Sequence, residues 1–290
     1  GRGTAWWSEG WQVFKAAPGI WLLITVVLFL IMAVLSLVPT SLRPYAPGRG
    51  IGDGFTIEHY VKALTDSFYL EVLVRTIGLG FVVTFMTLLI GYPLAYILAR
   101  SESRWKHWLT LLVIFPMLLN LVVRTFGWIA LLARRGLVNQ WLMALGITVE
   151  PIRLMFNFTG LLIGLTHIFL PVMVLVLIAV IQNISVDLEE AASVLGASRI
   201  AVLFKVTLPL SAPGILAGSI LVFVLTVSAL VTPRLLGGPT YKVVSTMVYE
   251  QFLQLLNWPA GSALALLMTA IVLLFLWAGA RLARRWEVRT

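Results

Sequence analysis

What most limits the folds open to this chain is the length of its uncharged stretches. Gly19 to Val38, Thr76 to Ala99, Leu154 to Val186, Val206 to Pro233 and Pro259 to Ala280 contain no Asp, Glu, Lys or Arg. Each approaches or exceeds the roughly 20 residues that an α-helix needs to cross a bilayer. A sixth stretch, Trp108 to Ala133, is interrupted only by Arg124. The expected fold is an all-α polytopic membrane protein with six transmembrane helices and both termini on one side. Composition agrees: charged residues make up 11% of the 290 residues, under half of the roughly 25% usual in soluble domains.

In a soluble protein the net charge of +9 would suggest nucleic acid. Here the basic residues are better read as flanks of the spans, and no nucleic-acid partner is expected. They show only a small excess on the side of the termini, so charge alone leaves orientation open. The absence of cysteine excludes disulfides and thiolate metal sites. His59, His107 and His167 have no metal-ligand spacing and read as packing or interfacial residues, so no metal site is expected. No Gly-Lys dipeptide occurs, which removes the phosphate-cradling loop of an ATPase. The spans offer no paired carboxylates, no H-E-x-x-H and no thiol. No catalytic residue and no bound cofactor is therefore expected.

Along the chain, residues 1–17, with three tryptophans, read as a surface segment and residues 18–38 as the first span. "PTSLRPYAPGRGIGDG" is an irregular loop leading to a short helix with Thr56 as its candidate cap. Pro93 is expected to kink the second span near its end. "GLLIG" (160–164) and "GILAG" (214–218) allow close helix approach. Residues 134–153 and 237–258 hold short amphipathic stretches suited to covering the ends of a bundle.

The most polar run of the second half is "EEAASVLGASRIAVLFKVTLP", residues 189–209. Asp187 is the candidate cap of a helix with Glu190 at its third position. Gly196 suits a left-handed end, Ser198 a second start, and Pro209 the junction with the next span. Ala191 and Ala192 leave little bulk at the corner, while Leu195, Val202 and Phe204 offer apolar knobs. Read locally, this is either a docking surface or a plain connector.

The spacing Glu190-Ala191-Ala192, three residues, Gly196, nine residues, Val206-x-Leu208-Pro209 resembles the EAA loop of the membrane-spanning subunits of ATP-binding-cassette (ABC) importers, type I. The resemblance extends over roughly residues 71–281, with the loop at 185–212 and a tail at 282–290. Within the family, "TIGLGFVVTFMTLLIGYPLAYILAR", "TPRLLGG" and "NWPAGSA" look most like the spermidine/putrescine branch. The resemblance implies a permease that carries a small nitrogenous solute by alternating access. It implies that the loop faces the cytoplasm, with both termini, and docks a separate ATPase holding ATP and Mg. The further implied partners are a second, different permease subunit and a periplasmic solute-binding protein, with the complex in a bacterial inner membrane. An ion-driven secondary carrier is the competing class, but no acid stands clearly at mid-depth in the spans for a coupling ion.

Candidate residues of the path are fewer. Arg124 is a charge inside a span and a functional candidate for that reason, with Trp128 on the same face four residues on. Tyr249, Glu250 and Trp258 precede the last span and suit an outer gate or a contact with the binding protein. The resembling branch often has an acid near "TPxLLGG", where this chain has Arg234. That departure weakens the case for a bare polycation and favours an amino-acid-like, opine-like or phosphonate cargo as the alternative.

Overall fold

The computed structural model describes residues 31–32 and 34–287. The segment 1–17 and most of the expected first span lie outside the described residues; residues 34–41 are helical. The following loop, as its proline and glycine content dictates, is irregular. It leads to α1 (Glu58–Thr65), with Ile57 in the cap position before it; the Thr56 hydroxyl accepts the Glu58 N–H at 3.1 Å one position earlier than a standard cap.

α2 (Ser67–Arg100) is capped by Asp66, which accepts from the Phe68 N–H, and it runs on through Pro93 where a kink was expected. After it come α3 (Lys106–Leu118), α4 (Leu121–Leu132) and α5 (Leu137–Ala144). α6 (Phe158–Gln182) begins at an Asn157 cap. α7 (Val186–Val194) and α8 (Arg199–Leu210) form the polar corner, and α9 (Ala212–Ser228), α10 (Val244–Tyr249) and α11 (Trp258–Glu287) complete the chain. The expected tail from residue 282 continues α11 as far as Glu287.

Two expected spans are bent rather than straight. The stretch Trp108 to Ala133 does not form one rod: the chain bends by 99° between α3 and the segment Leu121–Ala144. Asn120 explains the break, since its side chain accepts the Val122 N–H at 2.8 Å and so caps a new helix inside an apolar run. The stretch Val206 to Pro233 is likewise bent, by 68° at Ser211. Among the described residues three helices are long and apolar enough to cross a membrane, α2, α6 and α11, or up to five if each bent pair counts as one span.

α6 lies along α2, and α9 packs against both. Leu79, Val83, Leu161, Leu165, Met173, Val174, Leu177 and Val222 fill the space between them. The close approach rests on glycines, as small-residue spacing predicts. A Cβ on Gly214 would meet Val180 at 2.6 Å, one on Gly218 Met173 at 2.8 Å, and one on Gly80 Phe223 at 2.8 Å. "GILAG" thus packs α9 onto α6. "GLLIG" instead admits Leu236 at Gly164 and the Leu154 carbonyl at Gly160. Phe81, Phe85, Leu89, Leu273 and Leu274 remain exposed, which in a membrane means lipid or another subunit.

Candidate functional site

The polar corner between α6 and α9 is built as two caps around one glycine. Ser185, not Asp187, caps α7: its hydroxyl accepts the Asp187 N–H at 3.3 Å and donates to Asp187 Oδ2 at 2.9 Å. Ser fits here because it is the residue with non-helical backbone just before the first turn. α7 ends at Val194, and Gly196 takes φ +88°, a left-handed geometry that glycine adopts without cost. Ser198 then accepts the Ala201 N–H and caps α8.

The corner is bolted to α2 by a stripe at successive helical turns, Tyr92, Tyr96 and Arg100. Arg100 Nη2 and Nε donate to Glu189 Oε1 at 2.8 and 3.0 Å, and Nη2 also donates to the Ile184 carbonyl at 3.0 Å. Thr207 donates to the same carboxylate oxygen at 2.9 Å, while Tyr96 donates to Oε2 at 3.1 Å. One turn deeper, the Tyr92 and Ser211 hydroxyls lie 2.9 Å apart, and Ser211 donates to the Leu208 carbonyl at the bend. A carboxylate that accepts four hydrogen bonds, two of them from a guanidinium, is fully satisfied. It fixes α7 and α8 to α2 as one unit.

Glu190, Ala191 and Pro209 are exposed and Ala192 is half-buried, so the residues singled out from the sequence face outward. Beside them Val194 and Leu195 are 87% and 88% exposed, with Ile200 and Phe204 also exposed. Val202, expected as a knob, is instead buried because α8 turns that side toward the bundle. Tyr96, Glu190, Val194, Arg199, Ile200 and Leu203 line an open groove of about 730 Å³ between the two short helices.

The other candidates fall into two groups. Arg124 and Trp128 share the inner side of α4, where Trp128 donates its indole N–H to His167 Nδ1 on α6 at 3.2 Å. Arg124 Nε and Nη1 are buried without a hydrogen-bond partner. Its neighbour Thr125 meets Thr232 at 3.2 Å, joining α4 to the turn Pro233–Gly237 that carries Arg234. In the second group, the Arg234 guanidinium lies 3.7 Å from the centre of the Tyr249 ring. Glu250 holds Lys242 at 2.6 Å, and Trp258 packs edge-on against Phe252. Arg75 stands 5.4 Å from the Tyr241 ring; burial raises the Tyr241 phenol above its ordinary pKa and Arg75 opposes that. Tyr249 and Trp258 share a cavity of about 610 Å³.

This second group and the corner occupy opposite ends of the bundle. The Val244 N–H, at the start of α10, bonds Thr76 on α2 at 3.0 Å. Thr76 lies about 36 Å along that helix from Arg100, at 1.5 Å per residue.

Residues 91–288 match the family described as "binding-protein-dependent transport system inner membrane component". The chain belongs to this family. Within it, the chain is 32% identical to the spermidine/putrescine transport system permease protein PotB of Escherichia coli K12, over 89% of this chain and 95% of the relative. It is 34% identical to PotB of Haemophilus influenzae over 76% and 77%. The molybdenum transport system permease protein ModB of Mycobacterium bovis is 32% identical over 68% and 74%. Among solved structures, a bacterial ABC transporter for the acidic polysaccharide alginate superposes with a TM-score of 0.73 at 20% identity, covering 96% of this chain and 99% of that one. The methionine transporter MetNI gives 0.59 at 17% identity, over 77% and 99%. These two likenesses show the fold. The chain is a permease subunit of an ABC importer, a multi-pass inner-membrane protein and a transport subunit rather than an enzyme.

Sequence reasoning missed Glu189, Arg100, Tyr92, Tyr96 and Lys242. The signal for the stripe was present: Tyr92, Tyr96 and Arg100 recur at four-residue spacing in the last third of α2, which aligns them on one face.

Proposed function

We propose that this permease moves a polyamine-type solute inward by alternating access, driven by ATP that two cytoplasmic subunits bind with Mg and hydrolyse. In this reading the corner of α7 and α8 faces the cytoplasm together with both termini and docks one ATPase. A second, different permease subunit completes the path, and a periplasmic binding protein delivers the cargo. The observation that carries the reading is the corner itself: exposed Val194 and Leu195 beside Glu190 on a unit held rigidly to α2 by Glu189. An apolar projection of this kind belongs against another protein, and its rigid attachment lets a push at the corner reach the bundle. Moving inward, cargo passes Arg234, Tyr249, Glu250 and Trp258 first and Arg124 and Trp128 after them.

The polyamine class is supported by the PotB relatives. One observation favours the second reading, an anionic or zwitterionic nitrogen compound: Arg124 has two buried nitrogens without a partner, and a buried guanidinium calls for an acceptor. The ModB relative also shows that identity near this level does not fix the cargo. Calorimetry on the cognate binding protein with spermidine, putrescine and carboxylated amines, followed by ATP-dependent uptake in proteoliposomes, decides between them. Tight polyamine binding with uptake is expected; binding of a carboxylated amine alone favours the second reading. Uptake driven by an ion gradient without the ATPase overturns both.

A further inference from the structure

We propose that Tyr249 and Glu250, at the edge of the neighbouring cavity, are transient acceptors for the cargo's ammonium groups, and that Arg234 and Lys242 hold these two acceptors as tethered substitutes until cargo arrives. The inference rests on the polyamine reading above and gives that cargo a specific site. An ammonium leaving water needs a carboxylate or an aromatic face, and the methylene chain between two ammonium groups needs an apolar wall. Successive residues here supply both acceptors, and each is already taken by a cation of the same chain. Lys242 Nζ lies 2.6 Å from Glu250 Oε2, and the Arg234 guanidinium 3.7 Å from the centre of the Tyr249 ring.

The ion pair is not sealed. The Lys242 and Glu250 side chains are 30% and 29% exposed and Arg234 is exposed, so a cation arriving from water can exchange with either. Tyr249 also lines the cavity of about 610 Å³, inside the range of about 300–1,000 Å³ typical of small-molecule sites. Its walls include Val248, Phe252 and Trp258, with Ser228 and Ser245 among its polar residues. The cavity therefore offers an apolar run beginning at a cation-accepting ring, with a carboxylate at the adjoining residue. At the end of the bundle remote from the ATPase corner, it stands where delivered cargo first meets this chain.

A purely structural pair and a placeholder predict different outcomes. Removing one partner of a structural pair only loses a contact, whereas removing a tethered competitor frees the acceptor for cargo. Spermidine binding is measured by calorimetry on the assembled membrane complex in nanodiscs, without binding protein, alongside spermidine uptake by the wild-type transporter. Lys242→Gln and Arg234→Gln are expected to bind spermidine about three- to fivefold more tightly, the size of an exposed ion pair, and Glu250→Gln more weakly by a similar factor. Lys242→Met replaces Lys242→Gln if the latter fails to assemble. Wild-type uptake together with unchanged or weakened binding in the Lys242 and Arg234 variants overturns this inference alone. Absence of polyamine uptake by the wild type overturns the cargo reading and this site with it.

Discussion

Glu189 and Glu190 are neighbours with opposite environments. Glu189 and its partner Arg100 are only 12% and 15% exposed, and the carboxylate accepts from Arg100, Tyr96 and Thr207. Glu190 faces out. Removing one member of a largely buried pair strands the other charge, so Glu189→Ala is expected to destabilise the permease by about 3 kcal/mol, seen as a lowered melting temperature of the purified protein. Glu190→Gln is expected to change stability by no more than about 0.5 kcal/mol and yet to lose transport coupling, read as ATPase activity without uptake. Equal destabilisation by the two would mean that the clamp does not bear on the fold. The sequence motif pointed to Glu190 because its spacing to Gly196 and Pro209 is distinctive. Nothing in the local sequence said that Glu189 would turn inward, since that follows from the position of Arg100, far away in the chain, at the end of another helix.

At the scale of helices, hydropathy located α2, α6 and α11 because an apolar run of sufficient length has a single solution in lipid. It did not locate the breaks at Asn120 and Ser211, because average hydropathy does not register one polar side chain that caps its own backbone. Asn120 was readable in principle as a helix start; the bend at Ser211 depends also on the Tyr92 hydroxyl across the interface. Helix contact gives a second testable contrast. A methyl on Gly214 would lie 2.6–2.9 Å from three Val180 side-chain atoms, whereas one on Gly78 would meet nothing within 4 Å. Val180 is branched at Cβ and its rotamer is restricted, so α9 must move away from α6 to admit the methyl. Gly214→Ala is expected to cost about 1–3 kcal/mol, and Gly78→Ala to be neutral or slightly stabilising through helix propensity. Denaturant unfolding of the two variants in one detergent checks the ranking, which fails if Gly78→Ala is the more damaging.

For the whole molecule, the sequence motif carried the family and hence the arrangement of the bundle, but not which charges meet at its ends. Lys242 with Glu250 and Arg234 with Tyr249 depend on how the chain folds back between α9 and α11. The orientation of the bundle in the membrane can be tested with the chain's own composition. It has no cysteine, so a single introduced thiol reports one place. Leu195, at the corner after α6, is 88% exposed, and Val149, in the loop before α6, is 97% exposed. α6 separates their ends of the bundle by about 37 Å, the rise of its helix at 1.5 Å per residue, enough to put the two thiols on opposite sides of a bilayer core about 30 Å thick. With the corner cytoplasmic, a membrane-impermeant maleimide is expected to label Val149→Cys in spheroplasts and Leu195→Cys only in inside-out vesicles. If the ATPase docks on the corner as proposed, co-assembly with it is further expected to protect Leu195→Cys and leave Val149→Cys reactive. The reverse labelling pattern would invert the topology, and unprotected Leu195→Cys in a functional complex would separate the corner from ATPase docking.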